Sequence, residues 1–308
     1  MSLFRLFTVA VAALTNVTNI IPTDTTEPQD NNLPFPVSHF TKTVASVHNT
    51  YCGGSANTPG VTFGDQTLLH ALGNGDTVQR TNIYHSKSLG IIVAVQGTNV
   101  SSLVSISQDL QAFPIFPDPR LGLPLGSLVF AGWQVAWFNG WKDVRNALAE
   151  TIKEFPNDQI IVTGHSQGAA ISLLTALAIQ KKFGHTTTIR EIIAYGVPRV
   201  GNLIFANAFD SIFPGKYTGV VNGGDWVPSF PPHPIYQHPS GMVWINPAST
   251  TSWKYYKGQE NPHGPRSRVG KIFHPNTLQF DWGDHQGIYM HSSMGTTLGP
   301  CPAQVGGF

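Results

Sequence analysis

The sequence predicts an α/β fold, a mostly parallel sheet covered by helices on both faces, and three observations predict it. From residue 160 to residue 222, β-branched runs alternate with runs of helical period: "IIVTG", then 167–182, "IIAYG" (192–196), 202–213 and "YTGVVN" (217–222). Such alternation makes parallel strands joined by crossover helices that shield the sheet from water. The 308 residues are 41% hydrophobic and 11% charged, enough apolar material for one large core. The 31 glycines and 23 prolines exceed what a helical bundle would use and imply many turns.

Taken in order, the chain opens on "MSLFRLFTVAVAALTNVTNI", where Arg5 precedes an apolar run from Leu6 to Leu14. That run is too short to span a bilayer, so residues 1–19 read as a signal peptide of a secreted chain with no transmembrane span. Residues 20–36, polar and punctuated by proline, read as an exposed leader or propeptide, and 37–308 as a single domain. In 37–52, Phe40, Val44 and Val47 recur at helical spacing, with Gly53 and Gly54 as a stop. "TNIYHSK" and "GIIVAVQGT" read as paired strands. A long helix over 133–155 places Val144, Leu148, Ile152 and Phe155 on one face, and Pro156 ends it. "PIYQHPSGMVWI" (234–245) has the pattern of a hairpin, and a loop-rich tail follows. The two cysteines, Cys52 and Cys301, are expected to pair in an oxidising compartment.

With 18 basic and 17 acidic residues the chain offers no electrostatic footprint for nucleic acid, and "RSRVGK" (266–271) reads as a solvated loop. The stretch "GPRSRVGKI" is no phosphate-binding loop, because five residues separate its glycines and Ile272 stands where Ser or Thr is required. No CxxC or HExxH spacing occurs, so no structural or catalytic zinc is expected.

The stretch with chemical content is "IIVTGHSQGAAISLL" (160–174). Gly-x-Ser-x-Gly is weak by itself, but here it joins an apolar strand to a helix, so the turn projects the Ser166 hydroxyl while the helix N-terminus aims N–H groups at the reacting centre. A serine hydroxyl needs a base, and the base needs an acid to orient it. Of the later carboxylates, Asp225 in "GVVNGGDWVP" follows the end of a strand, where such sheets assemble their sites, whereas Asp210 and Glu191 do not. Of the later histidines, His285 in the glycine-flanked "WGDHQGIYMH" is favoured as base over His291. His165, beside the nucleophile, reads as a shape and hydrogen-bonding residue.

The segments "VAVQGT", "IIVTGHSQGAAIS", "AYGVPRVGN", "VNGGDWVPSFPP", "YQHPSGMVWI" and "DHQGIYM" resemble, in order, the signature blocks of the fungal class 3, Rhizomucor-type lipases, over most of the chain from about Phe40 onward. The resemblance implies an α/β-hydrolase fold, carboxylic ester hydrolysis without a cofactor, and a triad of Ser166, Asp225 and His285. It aligns Thr98 with the family's oxyanion-hole residue, and the N–H of Gln167, next to the nucleophile, would be the second donor; each is worth roughly a hundred- to a thousandfold in rate. It places a lid in 99–119, where Leu103, Ile106 and Leu110 at i, i+3 and i+7 would lay the apolar face of a short helix over the site; opening at a lipid–water interface would bury Leu103, Val104 and Ile106, and a fixed surface helix is the alternative. The family often has Arg at the position of Gln96 and His at that of Phe130.

Trp226, directly after Asp225, and Trp282, three before His285, would crowd the cleft or pack in the core. The pattern resembles the Malassezia-type subgroup acting on mono- and diacylglycerols, so a third acyl chain is expected to be excluded. Sequons at Asn16 and Asn99 permit glycosylation, with low occupancy expected at Asn99. The reading is a secreted, monomeric serine esterase working through an acyl-enzyme. A triacylglycerol lipase, a feruloyl-type hydrolase of soluble esters, and a non-catalytic lipid-binding surface protein remain the alternatives.

Overall fold

The computed structural model describes residues 33–98, 113–268, 282–294 and 301–303. Among these, the main sheet has nine strands. They are β1 (Thr62–Phe63), β2 (Gln66–Leu72), β3 (Thr81–Ser86), β4 (Gly90–Val95), β7 (Ile160–His165), β8 (Ile189–Tyr195), β9 (Tyr217–Asn222), β10 (Met242–Ile245) and β11 (Trp253–Tyr256). A separate pair, β5 (Pro114–Ile115) with β6 (Val129–Phe130), lies before β7 in the chain. The strands lie side by side in chain order; β4, β7, β8, β9 and β10 run parallel, while β1 to β4 and β10 to β11 pair antiparallel.

Side chains in the parallel strands alternate between two cores, as a period of two requires. Ile91, Val93, Val95, Ile160, Val162, Ile192 and Ala194 enter one core. Ile92, Ala94, Ile161, Ile193 and Tyr195 enter the other. Burial on both faces explains why these strands read as continuous apolar runs. Helices α2 (Ala131–Glu154), α3 (Gln167–Phe183) and α4 (Leu203–Ile212) cover the first face. Helix α1 (Val37–Tyr51) covers the second, with Tyr289, Met290, Met294 and Ala303 from the chain's end. Leu33 and Phe35, at the end of the segment read as an exposed leader, pack against this second core.

Local chemistry sets the helix ends. The Asn202 side chain caps α4 by accepting the Phe205 N–H at 3.0 Å. Phe155, before Pro156, leaves helical geometry with ψ 67°, as the proline ring demands, and α2 ends there. Residues 234–245 correct the hairpin expectation. Pro234 and Pro239 cannot donate to a ladder, and only 242–245 form a strand, pairing parallel with β9 at Val243↔Val220 and antiparallel with β11 at Val243↔Tyr255.

Cys52 and Cys301 form a disulfide across a sequence separation of 249, tying the end of α1 to the chain's C-terminal segment. Loop closure of that length is worth up to about 5 kcal/mol in the chain-entropy model. A Cys52→Ser, Cys301→Ser variant is expected to lose several kcal/mol in urea unfolding. An unchanged midpoint would show that the cross-link constrains nothing.

Candidate active site

The turn between β7 and α3 holds Ser166 at φ 59°, ψ −130°, a conformation side chains rarely adopt. The tightness of the turn forces it. A Cβ on Gly164 would strike the Gly168 carbonyl, and one on Gly168 would press on the carbonyl oxygens of Val95 and Gln96. The Ser166 N–H donates to the Tyr195 carbonyl at 2.9 Å, and the Ser166 carbonyl accepts from Ala169 at 3.0 Å. Its hydroxyl is thereby aimed at His285, whose Nε2 lies 2.9 Å from Oγ.

His285 ends the short helix α5 (Trp282–His285), and its Nδ1 lies 2.9 Å from both carboxylate oxygens of Asp225. A carboxylate only accepts, so Nδ1–H donates to it and Nε2 is left to accept the Ser166 proton. Asp225 stands just beyond β9, where its Oδ1 accepts the Val227 N–H at 3.0 Å and its Oδ2 accepts the Tyr289 hydroxyl at 3.1 Å. Nothing in the sequence marks Tyr289 for this contact beyond its place four residues after His285. Asn222 Nδ2–H donates to the Asp284 carbonyl at 2.8 Å, joining the segments that carry Asp225 and His285. Ser166, Asp225 and His285 are all buried. The rejected candidates are engaged elsewhere: Asp210 accepts from Ser240, Glu191 pairs with His39, and His291 packs edge-on against Trp253.

Gln167 opens α3, whose first N–H groups have no acceptor within the helix. Its side-chain oxygen accepts from Gln79 at 3.0 Å. The chain leaving β4 runs against Ser166: a Cβ on Gly97 would come within 2.9 Å of the Ser166 Cβ. Thr98, half-buried, follows directly. Leu103, Val104 and Ile106, and the sequons at Asn16 and Asn99, lie outside the described residues, as does the Trp282 side chain. Trp226 is buried in the core on the α2 and α3 side of the sheet. Phe130 is fully buried and stacks on Trp133 at 4.5 Å, and Gln96 is held by its N–H to the Arg80 carbonyl at 2.8 Å. Among the described residues, His48, Cys52 and Cys301 bring metal-ligand types together, but the two sulfurs are bonded to each other.

A buried network clips the loop that carries Asp225. Arg199 donates to both oxygens of Glu260, at 2.7 and 2.9 Å, and to the carbonyls of Ser229 and Pro231. Glu260 also accepts the His238 N–H, and the His238 ring donates to the Pro228 carbonyl at 2.8 Å. Burial, with the Arg199 charge, lowers the His238 pKa to about 4. Burial alone would raise the Glu260 carboxyl, but its Arg199 and His238 partners outweigh this and hold it at about 2. As pH falls below about 6.5 the unfolded chain protonates His238 before the folded one does, so stability drops by about 3 kcal/mol down to pH 4. The Glu260 contribution, fully present above pH 4.5, is lost as pH falls towards 2. His238→Gln is expected to flatten the dependence of unfolding free energy on pH between 6.5 and 4; an unchanged slope would refute the assignment.

Residues 92–234 match the family model for class 3 lipases. The chain is 77% identical to a secreted mono- and diacylglycerol lipase of Gibberella zeae, over 100% of this chain and 97% of that protein. It is 42% identical to a secreted mono- and diacylglycerol lipase of Malassezia globosa, over 91% of this chain and 90% of that one. The fold matches a Yarrowia lipolytica lipase with TM-score 0.74 at 21% identity, covering 88% and 98% of the two chains. A Rhizopus niveus lipase matches with TM-score 0.69 at 23% identity, covering 84% and 96%. With an α/β-hydrolase fold and this degree of identity to its relatives, the chain belongs to the class 3 lipases, a family of carboxylic ester hydrolases.

Proposed function

We propose that this chain is a secreted, monomeric lipase that cleaves mono- and diacylglycerol esters through an acyl-enzyme, with Ser166, His285 and Asp225 as its triad. The observation that carries the proposal is the unbroken line from Ser166 Oγ to His285 Nε2 and from Nδ1 to Asp225, each contact 2.9 Å. His285 takes the hydroxyl proton as Oγ bonds to the ester carbonyl carbon, and Asp225 stabilises the imidazolium. The carbonyl oxygen becomes an oxyanion received by the N–H groups of Thr98 and Gln167. His285 then protonates the departing glycerol oxygen, and water, deprotonated by the same ring, releases the fatty acid.

The substrate class rests on the relatives that bear it in their names. In the sequence, Leu103, Val104 and Ile106 supply apolar positions suited to a lipid–water interface. A fluorophosphonate probe is expected to label the wild type and not Ser166→Ala. Rates on mono-, di- and triolein and on soluble aryl esters test the rest, with Trp226→Ala alongside. Equal rates on di- and triolein in the unaltered enzyme would end the mono- and diacylglycerol assignment, and a preference for soluble aromatic esters would favour a feruloyl-type activity.

A further inference from the structure

We propose that Tyr51 and His165 are positioning residues that lock the chain carrying the oxyanion donor Thr98 to the backbone of the base His285, so that both catalytic groups move as one body. This rests on the triad and oxyanion reading above. A hydrogen-bonded line crosses beneath the site in three steps. The Gly97 N–H meets Tyr51 Oη at 2.9 Å, Tyr51 Oη meets His165 Nδ1 at 2.7 Å, and His165 Nε2 meets the His285 carbonyl at 2.9 Å.

The partners dictate the direction of every bond. A carbonyl oxygen can only accept, so His165 Nε2 carries the hydrogen. Burial, reinforced by the neighbouring His285, holds the His165 pKa well below the ordinary histidine value and keeps the ring neutral, so Nδ1 is an acceptor. Tyr51 therefore donates to Nδ1, and its oxygen accepts from Gly97. Burial pushes the Tyr51 hydroxyl above its ordinary range, so it keeps the proton this role needs. The His165 ring also stacks on the His285 ring at a centroid distance of 4.6 Å.

The line joins three distant parts of the chain. Tyr51 is the last residue of α1, next to the disulfide-bonded Cys52; Gly97 follows β4; His165 ends β7 beside the nucleophile. During acylation, negative charge develops at the Thr98 N–H while positive charge develops on His285. Both must be met without reorganisation for the electrostatic gain to be realised. Without the Tyr51 hydroxyl, Gly97 loses its acceptor and His165 its donor, and the two halves of the site are no longer fixed to one another.

The test compares Tyr51→Phe, His165→Leu, His165→Gln and the double variant Tyr51→Phe, His165→Leu on p-nitrophenyl butyrate, with kcat counted per fluorophosphonate-titrated site. The glutamine amide offers one acceptor and one donor face, as neutral histidine does. Tyr51→Phe and His165→Leu are each expected to lower kcat per site about 10- to 100-fold with KM within about threefold. His165→Gln is expected to recover most of that loss, and the double variant to be no worse than the worse single one, since both break one line. Inactive protein does not titrate, so simple structural damage would leave kcat per site unchanged. A Tyr51→Phe rate within about threefold of wild type, a His165→Gln rate as poor as His165→Leu, or additive losses would overturn the inference. If Tyr51→Phe does not fold, the His165 pair decides it alone. Failure of the wild type to be labelled at Ser166 would instead overturn the triad reading.

Discussion

Replacing Asp225 by Asn is expected to lower kcat about 10⁴-fold while the protein stays folded, measured on a soluble ester with purified, titrated enzyme. The carboxylate has a fixed set of donors around it: His285 Nδ1–H, the Val227 N–H at Oδ1 and the Tyr289 hydroxyl at Oδ2. An amide of the same shape accepts through one oxygen only. Its NH2 must take the place of either Oδ1, against the Val227 N–H, or Oδ2, against the Tyr289 hydroxyl, and His285 Nδ1 lies 2.9 Å from both positions. Facing His285, it turns the ring to the tautomer with hydrogen on Nε2, which cannot take the Ser166 proton. In either place the negative charge that stabilises the imidazolium is lost, and at Oδ1 the NH2 also meets the Val227 N–H, donor against donor. Both outcomes disable the base and spare the scaffold. A loss smaller than about tenfold would mean that Asp225 is not the orienting acid.

Gly168→Ala should be the other severe substitution, although it adds a single methyl group and touches no member of the proposed triad. The new Cβ would press on the carbonyl oxygens of Val95 and Gln96, backbone atoms that cannot rotate aside. Helix α3 would have to withdraw from the end of β4, carrying the Gln167 N–H and Ser166 away from Gly97 and Thr98. Overpacking of this kind costs about 1–3 kcal/mol, and a displacement near an ångström costs about a hundredfold in rate. Gly53→Ala is the control, because nothing lies within 4 Å of a Cβ there and its φ of −95° suits alanine. Comparable activity in the two variants would show that the nucleophile turn tolerates what the packing says it cannot.

What the sequence alone determined about this protein was its local and periodic content. Ile160–His165, Gln167–Phe183 and Tyr217–Asn222 were legible because a strand buried on both faces must be apolar throughout, and a helix between parallel strands must begin directly after a tight turn. The tight turn at Ser166 was legible because its glycines are dictated by clearance over a few residues. Asp225 was legible because it follows a recognisable strand. Residues 234–245 depart from the hairpin their pattern predicts because two prolines and a glycine imply a turn without revealing that β10 takes its partners from β9 and from β11, 11 residues further on in chain order from Met242 to Trp253.

Only the tertiary structure decided which distant groups meet. His285 and His291 lie six residues apart in one glycine-containing stretch of the sequence, and nothing local says that one ring reaches Ser166 while the other packs on Trp253. Tyr289 under the carboxylate, Arg199 with Glu260, and Tyr51 with His165 are contacts across 64, 61 and 114 residues. Each depends on how the sheet brings its loops together. A residue's type limits the bonds it can make, but the choice of partner is a property of packing, which a linear sequence encodes only through the whole fold.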